Sequence, residues 1–402
     1  MQRRHEEHAE EMRPDAGGGH AAPARDARGV GGAVPGNGRR PIWQSLARLG
    51  GIFPETGAED QGTGALLRAR GDPSGSGRAD GCLVRTAGGA NDRTGPRFDA
   101  AVPAGGYSWW YIDAISEDAQ HGLTIIAFLG SVFSPYYKKS GRGDPLNHCC
   151  LNVALYGPRA RWAMTERPSD CLSRDVSNLQ IGPSHVEWKG DALEITIEER
   201  DKRLFNPFRR PVRGKVRVIP EALNPTSFAL DPAQNHIWHC MAPRARIEVE
   251  MEEPGVSWSG KGYFDHNRGS EPLETGFRTW HWSRAHMKEG AVVCYEGERG
   301  DGSVFASAIR FGADGIPQEV DLPDVAQLPR SGWGVGRRTR SDIGVAQVIR
   351  SWEDTPFYSR AELSTRLYGE QVVSVQESLD MRRFASPIVQ FMLPYRMPRK
   401  RR

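Results

Sequence analysis

Two short stretches carry residues able to do chemistry, Asn235-His236-Ile237-Trp238-His239-Cys240 and Gly262-Tyr263-Phe264-Asp265-His266-Asn267. If both are strands, alternate side chains go to opposite faces. His236 then shares a face with Trp238, and Tyr263 with Asp265. Each stretch offers one ionisable group beside one aromatic ring. A carboxyl buried among apolar groups keeps its proton and can donate it. An imidazole can orient a water or take up its proton. Aromatic faces attract a cation by ~2 kcal/mol or more when desolvated. The set suits acid–base chemistry beside a positive charge. The same residues also fit plain structure, because a strand Trp or Tyr commonly packs a core. Asp265, followed by His266-Asn267-Arg268-Gly269, has the look of a strand-end cap.

A third aromatic run is Gly106-Tyr107-Ser108-Trp109-Trp110-Tyr111-Ile112-Asp113. By the same alternation Tyr107, Trp109, Tyr111 and Asp113 share a face, which makes Asp113 the second candidate acid. Trp280, His281 and Trp282 form a further cluster, which suits a pocket lining or core. His236 and His239 have the spacing of a zinc pair. Residues three apart on a strand point to opposite faces, so no metal is expected. Phosphate-binding loops, H-E-x-x-H and Gly-x-Ser-x-Gly are absent, and Gly332-x-Gly334-x-Gly336 sits in no βαβ unit.

The elements that must position these residues read as strands. Tyr107–Ile115 and Leu123–Leu129 form a hairpin pattern, as do His185–Trp188 and Leu193–Glu198 around Lys189-Gly190-Asp191. Further alternating runs are Lys215–Ile219, Arg246–Glu250, Ser257–Phe264, Val292–Tyr295, Val304–Phe311, Val345–Trp352, Phe357–Leu363 and Gln371–Leu379. Sustained helical periodicity is absent. The expectation is an all-β chain of two tandem β-domains, residues 96–240 and 241–392, with the boundary near Met241-Ala242-Pro243. A basic tail, 393–402, follows.

The 402 residues carry a net charge of +3, too near neutral for a dedicated nucleic-acid binder. Of 46 Gly, 20 lie in residues 1–95. That polar stretch cannot bury enough apolar surface to offset its ordering entropy, so 1–95 is expected to be disordered. A short amphipathic helix over Pro41–Leu49 is the exception. The charged N-terminus has no signal-peptide pattern, no stretch reaches membrane-spanning length, and the six Cys form no framework. These features point to a reduced, cytoplasmic protein.

Residues 97–395 resemble the acyclic carotenoid 1,2-hydratases (hydroxyneurosporene synthases) of photosynthetic bacteria. The resemblance rests on Gly106-Tyr-Ser-Trp-Trp-Tyr-Ile-Asp-Ala, His121-Gly-Leu-Thr-Ile-Ile-Ala-Phe, Asp144-Pro-Leu-Asn-His-Cys, His236-Ile-Trp-His, Gly262-Tyr-Phe-Asp-His-Asn and Trp352-Glu-Asp-Thr-Pro-Phe-Tyr-Ser-Arg. It implies two tandem lipocalin-like barrels. It also implies hydration of the terminal C1=C2 bond of an acyclic carotenoid such as neurosporene or lycopene, without a cofactor.

Hydrating such an alkene starts with protonation of C2, which leaves a tertiary cation at C1 that water captures. Asp265 is then the expected acid. Trp238 and Tyr263 would flank the cation, and His236 would hold the water, take its proton or fix Asp265. Trp109, Tyr111, Asp113, Trp280 and Trp282 would bind substrate. The expected partners are the carotenoid, water and membrane lipid, with no nucleic acid. A C40 polyene partitions into the bilayer, so a peripheral position on the photosynthetic inner membrane is expected. The basic tail is a candidate contact with anionic lipid at ~1 kcal/mol per basic residue. The alternative is a lipocalin-like pigment or lipid carrier without catalysis. A protonating cyclase is disfavoured, since D-x-D-D and helical periodicity are missing.

Overall fold

A computed structural model describes residues 83–86, 95–201 and 210–400. The helix expected over Pro41–Leu49 and most of the N-terminal segment lie outside the described residues. Within that segment Val84–Thr86 is nevertheless a strand, paired antiparallel with Ser227–Ala229, and the neighbouring Leu83 is buried. The expectation of disorder therefore fails at this point.

Two antiparallel sheets dominate. The first has thirteen strands. Its middle runs Cys150–Tyr156, Gly122–Leu129, Tyr107–Ser116, Val256–Gly269, His236–Glu253 and Arg210–Pro220, each beside the next. It curls until Arg161–Met164 comes against Ala192–Asp201. The second has seven strands, with Ala291–Arg299, Phe277–His286, Glu370–Asp380 and Tyr358–Leu367 adjacent at its centre.

The division near Met241-Ala242-Pro243 needs correction. These residues lie inside His236–Glu253, an 18-residue strand that pairs with Val256–Gly269. The sheet changes later, across the short helix Leu273–Gly276. The long hairpin 236–269 belongs to the first sheet because its second strand pairs along its length with Tyr107–Ser116. Alternation in a sequence cannot reveal that long-range pairing.

Tyr107–Ser116 is buried on both faces, which explains its near-continuous apolar sequence. Trp110, Ile112 and Ala114 join the core inside the curl of the first sheet, with Leu123, Ile125, Val153 and Phe264. Tyr107, Trp109 and Tyr111 join a second core between the sheets, with Trp238, Tyr263, Trp280, Trp282 and Tyr295. A two-residue period thus separates structural from site-facing side chains along one strand.

Helix is scarce but not absent. Pro387–Arg396 forms a ten-residue α-helix, capped by the Ser386 side chain and started by Pro387. Val389 and Leu393 turn into the inter-sheet core. A single short helix is too brief to produce sustained periodicity. The tail beyond it is also not free. Arg399 pairs with Glu166, whose carboxylate also meets His148 Nδ1 at 2.7 Å, and Arg396 lies over the Trp162 ring at 4.3 Å. Among the described residues, no helix is long and apolar enough to cross a membrane.

Candidate active site

The site forms where the inner faces of the two sheets meet. On the first sheet Tyr111 stands opposite Asp265, Trp109 opposite Asn267, and Asp113 opposite Tyr263. On the second, Trp282 lies between Tyr295 on one neighbouring strand and Glu377 on the other. Ring contacts join the sheets: Tyr263 to Trp282 at 5.1 Å, Trp238 to Tyr295 at 5.5 Å and Tyr111 to Trp282 at 5.8 Å. Between them is a small open cleft lined by Trp109, Tyr111, Asp265, Asn267, Trp280, Trp282, Tyr295 and Glu377.

Asp265 is the acidic centre. It lies within a strand that continues to Gly269, so it is not the strand-end cap the sequence allowed. Its Oδ2 accepts from Tyr263 Oη at 2.8 Å and from Trp238 Nε1 at 3.1 Å, and Oδ1 accepts from Asn267 Nδ2 at 2.9 Å. All three donors are uncharged. Burial pushes the carboxyl well above the usual carboxylate range, and the Tyr263 and Trp238 hydrogen bonds only partly oppose it. Burial also pushes the Tyr263 hydroxyl well up, which keeps it a donor. The result is a fixed carboxyl whose burial favours the protonated form, beside an aromatic cleft.

Asp113, the second candidate acid, has the opposite environment. Its Oδ1 accepts from Arg284 Nε at 2.8 Å and its Oδ2 from Arg360 Nη2 at 2.6 Å. Burial alone would raise it, but the two guanidiniums outweigh burial and hold it below its ordinary value. It is therefore an anion locked between the sheets and does not line the cleft. This corrects the expectation for Asp113 both as acid and as substrate contact.

His236 is fully buried, but its ring is committed elsewhere. Nδ1 meets Tyr107 Oη at 2.8 Å and Nε2 meets Glu271 Oε1 at 3.1 Å. A side chain at Gly276 would collide with the ring, so glycine is required there. Burial pulls the imidazole below its ordinary value, so it is neutral at neutral pH. The hydrogen bond to Asp265 that the sequence allowed is not formed. His236 reaches the cleft through Tyr107, which stacks on Trp109 at 4.7 Å, and through Phe277, which packs on Trp280 at 5.6 Å. His239 faces away and contacts the Asn224 carbonyl.

Trp238 and Tyr263 touch Asp265 with their polar tips, and the cleft walls are other rings. Trp109, Tyr111, Trp280 and Trp282 line it as the sequence suggested. Asn267, Tyr295 and Glu377 also line it, and the sequence reading does not single them out. Asn267 is within reach of the two-residue period that groups it with Tyr263 and Asp265. Tyr295 and Glu377 sit on strands of the other sheet, and only the sheet pairing brings them here. Among the described residues, no group of three or more His, Cys, Asp or Glu could hold a metal ion.

The protein is of the two-sheet β class, with a buried carboxyl set in an aromatic cleft. Residues 125–402 match the family described as Carotenoid hydratase CrtC. The chain is 48% identical over 373 residues to the acyclic carotenoid 1,2-hydratase of Thiocapsa roseopersicina, covering 91% of each chain. It is 44% identical over 394 residues to the enzyme of the same name from Rubrivivax gelatinosus, covering 94% of each. Among solved structures, kievitone hydratase from Nectria haematococca aligns with TM-score 0.39 and 10% identity, over 73% of this chain and 96% of that one. The chain belongs to the carotenoid hydratase family.

Proposed function

We propose that this chain adds water across the terminal C1=C2 bond of an acyclic carotenoid, such as neurosporene or lycopene, with Asp265 as the acid. The observation that carries the reading is a buried carboxyl with three uncharged donors and no cation, opening on an aromatic cleft. Asp265 gives its proton to C2, and positive charge develops at tertiary C1. Trp109, Trp280, Trp282 and Tyr295 offer ring faces to that charge. Such attraction is worth ~2 kcal/mol or more in a dry site. Trp238 and Tyr263 then act mainly by aiming Asp265, and the cation-flanking role expected of them passes to the lining rings. His236 positions Tyr107 and, through it, Trp109. Addition of water is redox-neutral, and the proposed route asks of the protein only proton transfer and cation stabilisation. A pigment carrier would have no use for a carboxylic acid held protonated at the substrate end.

The cleft is too small for a polyene ~30 Å long, a span comparable to a bilayer core, so only one end enters. The rest of the substrate stays in lipid, which places the enzyme on the membrane surface. The helix Pro387–Arg396 supports this placement. Ile388, Phe391 and Tyr395 recur at i, i+3 and i+7 and are 67%, 69% and 49% exposed. Arg382 and Lys400 are exposed at either end of this C-terminal segment, which matches an anionic lipid surface.

The test is purified protein with lycopene or neurosporene in vesicles and ¹⁸O-labelled water. A 1-hydroxy product carrying the label is expected. Unchanged carotenoid bound tightly to the protein would favour the carrier instead.

A further inference from the structure

We infer that Glu377 is the catalytic base that holds the attacking water and takes its proton. The inference rests on the hydratase reading above and supplies the group that reading lacks. His236 is the base that residue type alone would favour, but both its ring nitrogens are occupied outside the cleft.

Glu377 and Asp265 line the same cleft and come from opposite sheets. Glu377 Oε1 accepts from Arg360 Nη1 at 2.5 Å and from Tyr111 Oη at 2.7 Å. Both bonds fall on Oε1, and Oε2 accepts from no described residue, so Oε2 is the oxygen left for a molecule in the cleft. The Arg360 guanidinium is buried and pairs with Glu377 and Asp113 together, holding the carboxylate in place. The cleft thus offers one carboxyl among uncharged donors and one ion-paired to a guanidinium. That division is the usual way two carboxyls take acid and base roles.

The step balances. Asp265 loses its proton to C2, forming a C–H bond and the C1 cation. Water oxygen forms the C1–O bond as one of its O–H bonds breaks, and that proton goes to Glu377. A proton passes back through cleft water from Glu377 to Asp265, and both groups return to their starting states. The net reaction is alkene plus water to tertiary alcohol.

The experiment compares wild type, Glu377→Gln, Glu377→Asp and Asp265→Asn in D₂O, scoring hydration, deuterium in recovered carotenoid and the melting transition. A cation that water fails to capture can return a proton from C2 to Asp265 and re-form the alkene carrying deuterium. Glu377→Gln should lose about 10²–10⁴-fold in hydration while deuterium exchange continues. Asp265→Asn should lose both. Glu377→Asp keeps the charge facing Arg360. If Glu377→Gln does not fold, a fall in hydration with exchange retained in Glu377→Asp gives the same support, and wild-type hydration there overturns the inference. A folded Glu377→Gln protein that hydrates within tenfold of wild type also overturns it. So does parallel loss of hydration and exchange. A wild-type protein that forms no alcohol would sink the hydratase reading itself, a separate result.

Discussion

Asp113 and Asp265 project from the same face of two neighbouring strands, diagonal to each other across the Tyr111–Asp265 and Asp113–Tyr263 register pairs. Both are almost wholly buried. Their protonation nevertheless moves in opposite directions. Asp113 is gripped by two guanidiniums and falls below 3.8, whereas Asp265 meets an indole, a phenol and an amide and rises well above it. Burial alone does not make an acid. The charge of the donors around a buried carboxyl decides whether it becomes a structural anion or a proton donor. One region ties the sheets together, and the other holds the acid of the proposed reaction.

Exchanging each carboxylate for its amide should separate the two roles. Asp265→Asn should cut hydration by about 10²–10⁴-fold and still unfold cooperatively at no lower temperature, because Asn267 can turn its amide to meet the new one. Retention of more than about a tenth of the activity would place the acid elsewhere. Asp113→Asn strips the counter-charge from Arg284 and one of two carboxylates from Arg360, which keeps Glu377. Breaking a buried pair in this way costs about 3–5 kcal/mol, which denaturant unfolding would register. An unchanged midpoint would show that Asp113 does not hold the sheets.

The pH dependence sharpens the contrast. For Asp113 the folded value lies below the unfolded one. Its stabilisation is complete above pH 3.8 and is lost as pH falls through the lower folded value. For Asp265 the folded value lies above. Its favourable contribution is complete below pH 3.8 and is lost as pH rises towards the raised folded value. Hydration should also fall on the alkaline side as Asp265 ionises. Asp265→Asn should flatten the stability loss above pH 3.8, and Asp113→Asn should flatten the loss at acid pH. An alkaline limb of stability unchanged in Asp265→Asn would contradict its assignment.

Smaller effects should follow at the groups that aim Asp265. Tyr263→Phe keeps the ring and removes two hydrogen bonds, the one donated to Asp265, of about 1–3 kcal/mol, and the one accepted from Trp238 Nε1. A loss of about ten- to a hundredfold in rate is expected, with little change in melting. Trp238→Phe and Trp238→Leu both remove the indole N–H. If Trp238 only aims the acid they should lose rate alike, whereas a cation-facing role would make Leu worse than Phe at equal stability. Trp282→Leu against Trp282→Phe is the matching pair in the cleft wall, and there Leu should be worse.

Much of the site is legible in the amino-acid sequence. The two-residue period groups Tyr107, Trp109 and Tyr111, and separately Tyr263 with Asp265, because a strand's faces are written in its own sequence. Asp113 is misread from sequence because its partners Arg284 and Arg360 lie 171 and 247 residues away on the other sheet. Glu377 looks like an ordinary polar position in an alternating strand, and nothing local marks it as facing Trp109 across a cleft. The domain boundary fails for the same reason, since the 236–269 hairpin takes its sheet from distant pairing. Site residues set by strand period are readable, and those set by sheet-to-sheet contact are not.

The most direct test is infrared difference spectroscopy of the folded protein across the neutral range. A carbonyl stretch from a protonated carboxylic acid should be present at pH 7, with a component that vanishes in Asp265→Asn and persists in Asp113→Asn. If Asp265→Asn removes no part of that band at pH 7, Asp265 is ionised and cannot be the group that protonates the alkene.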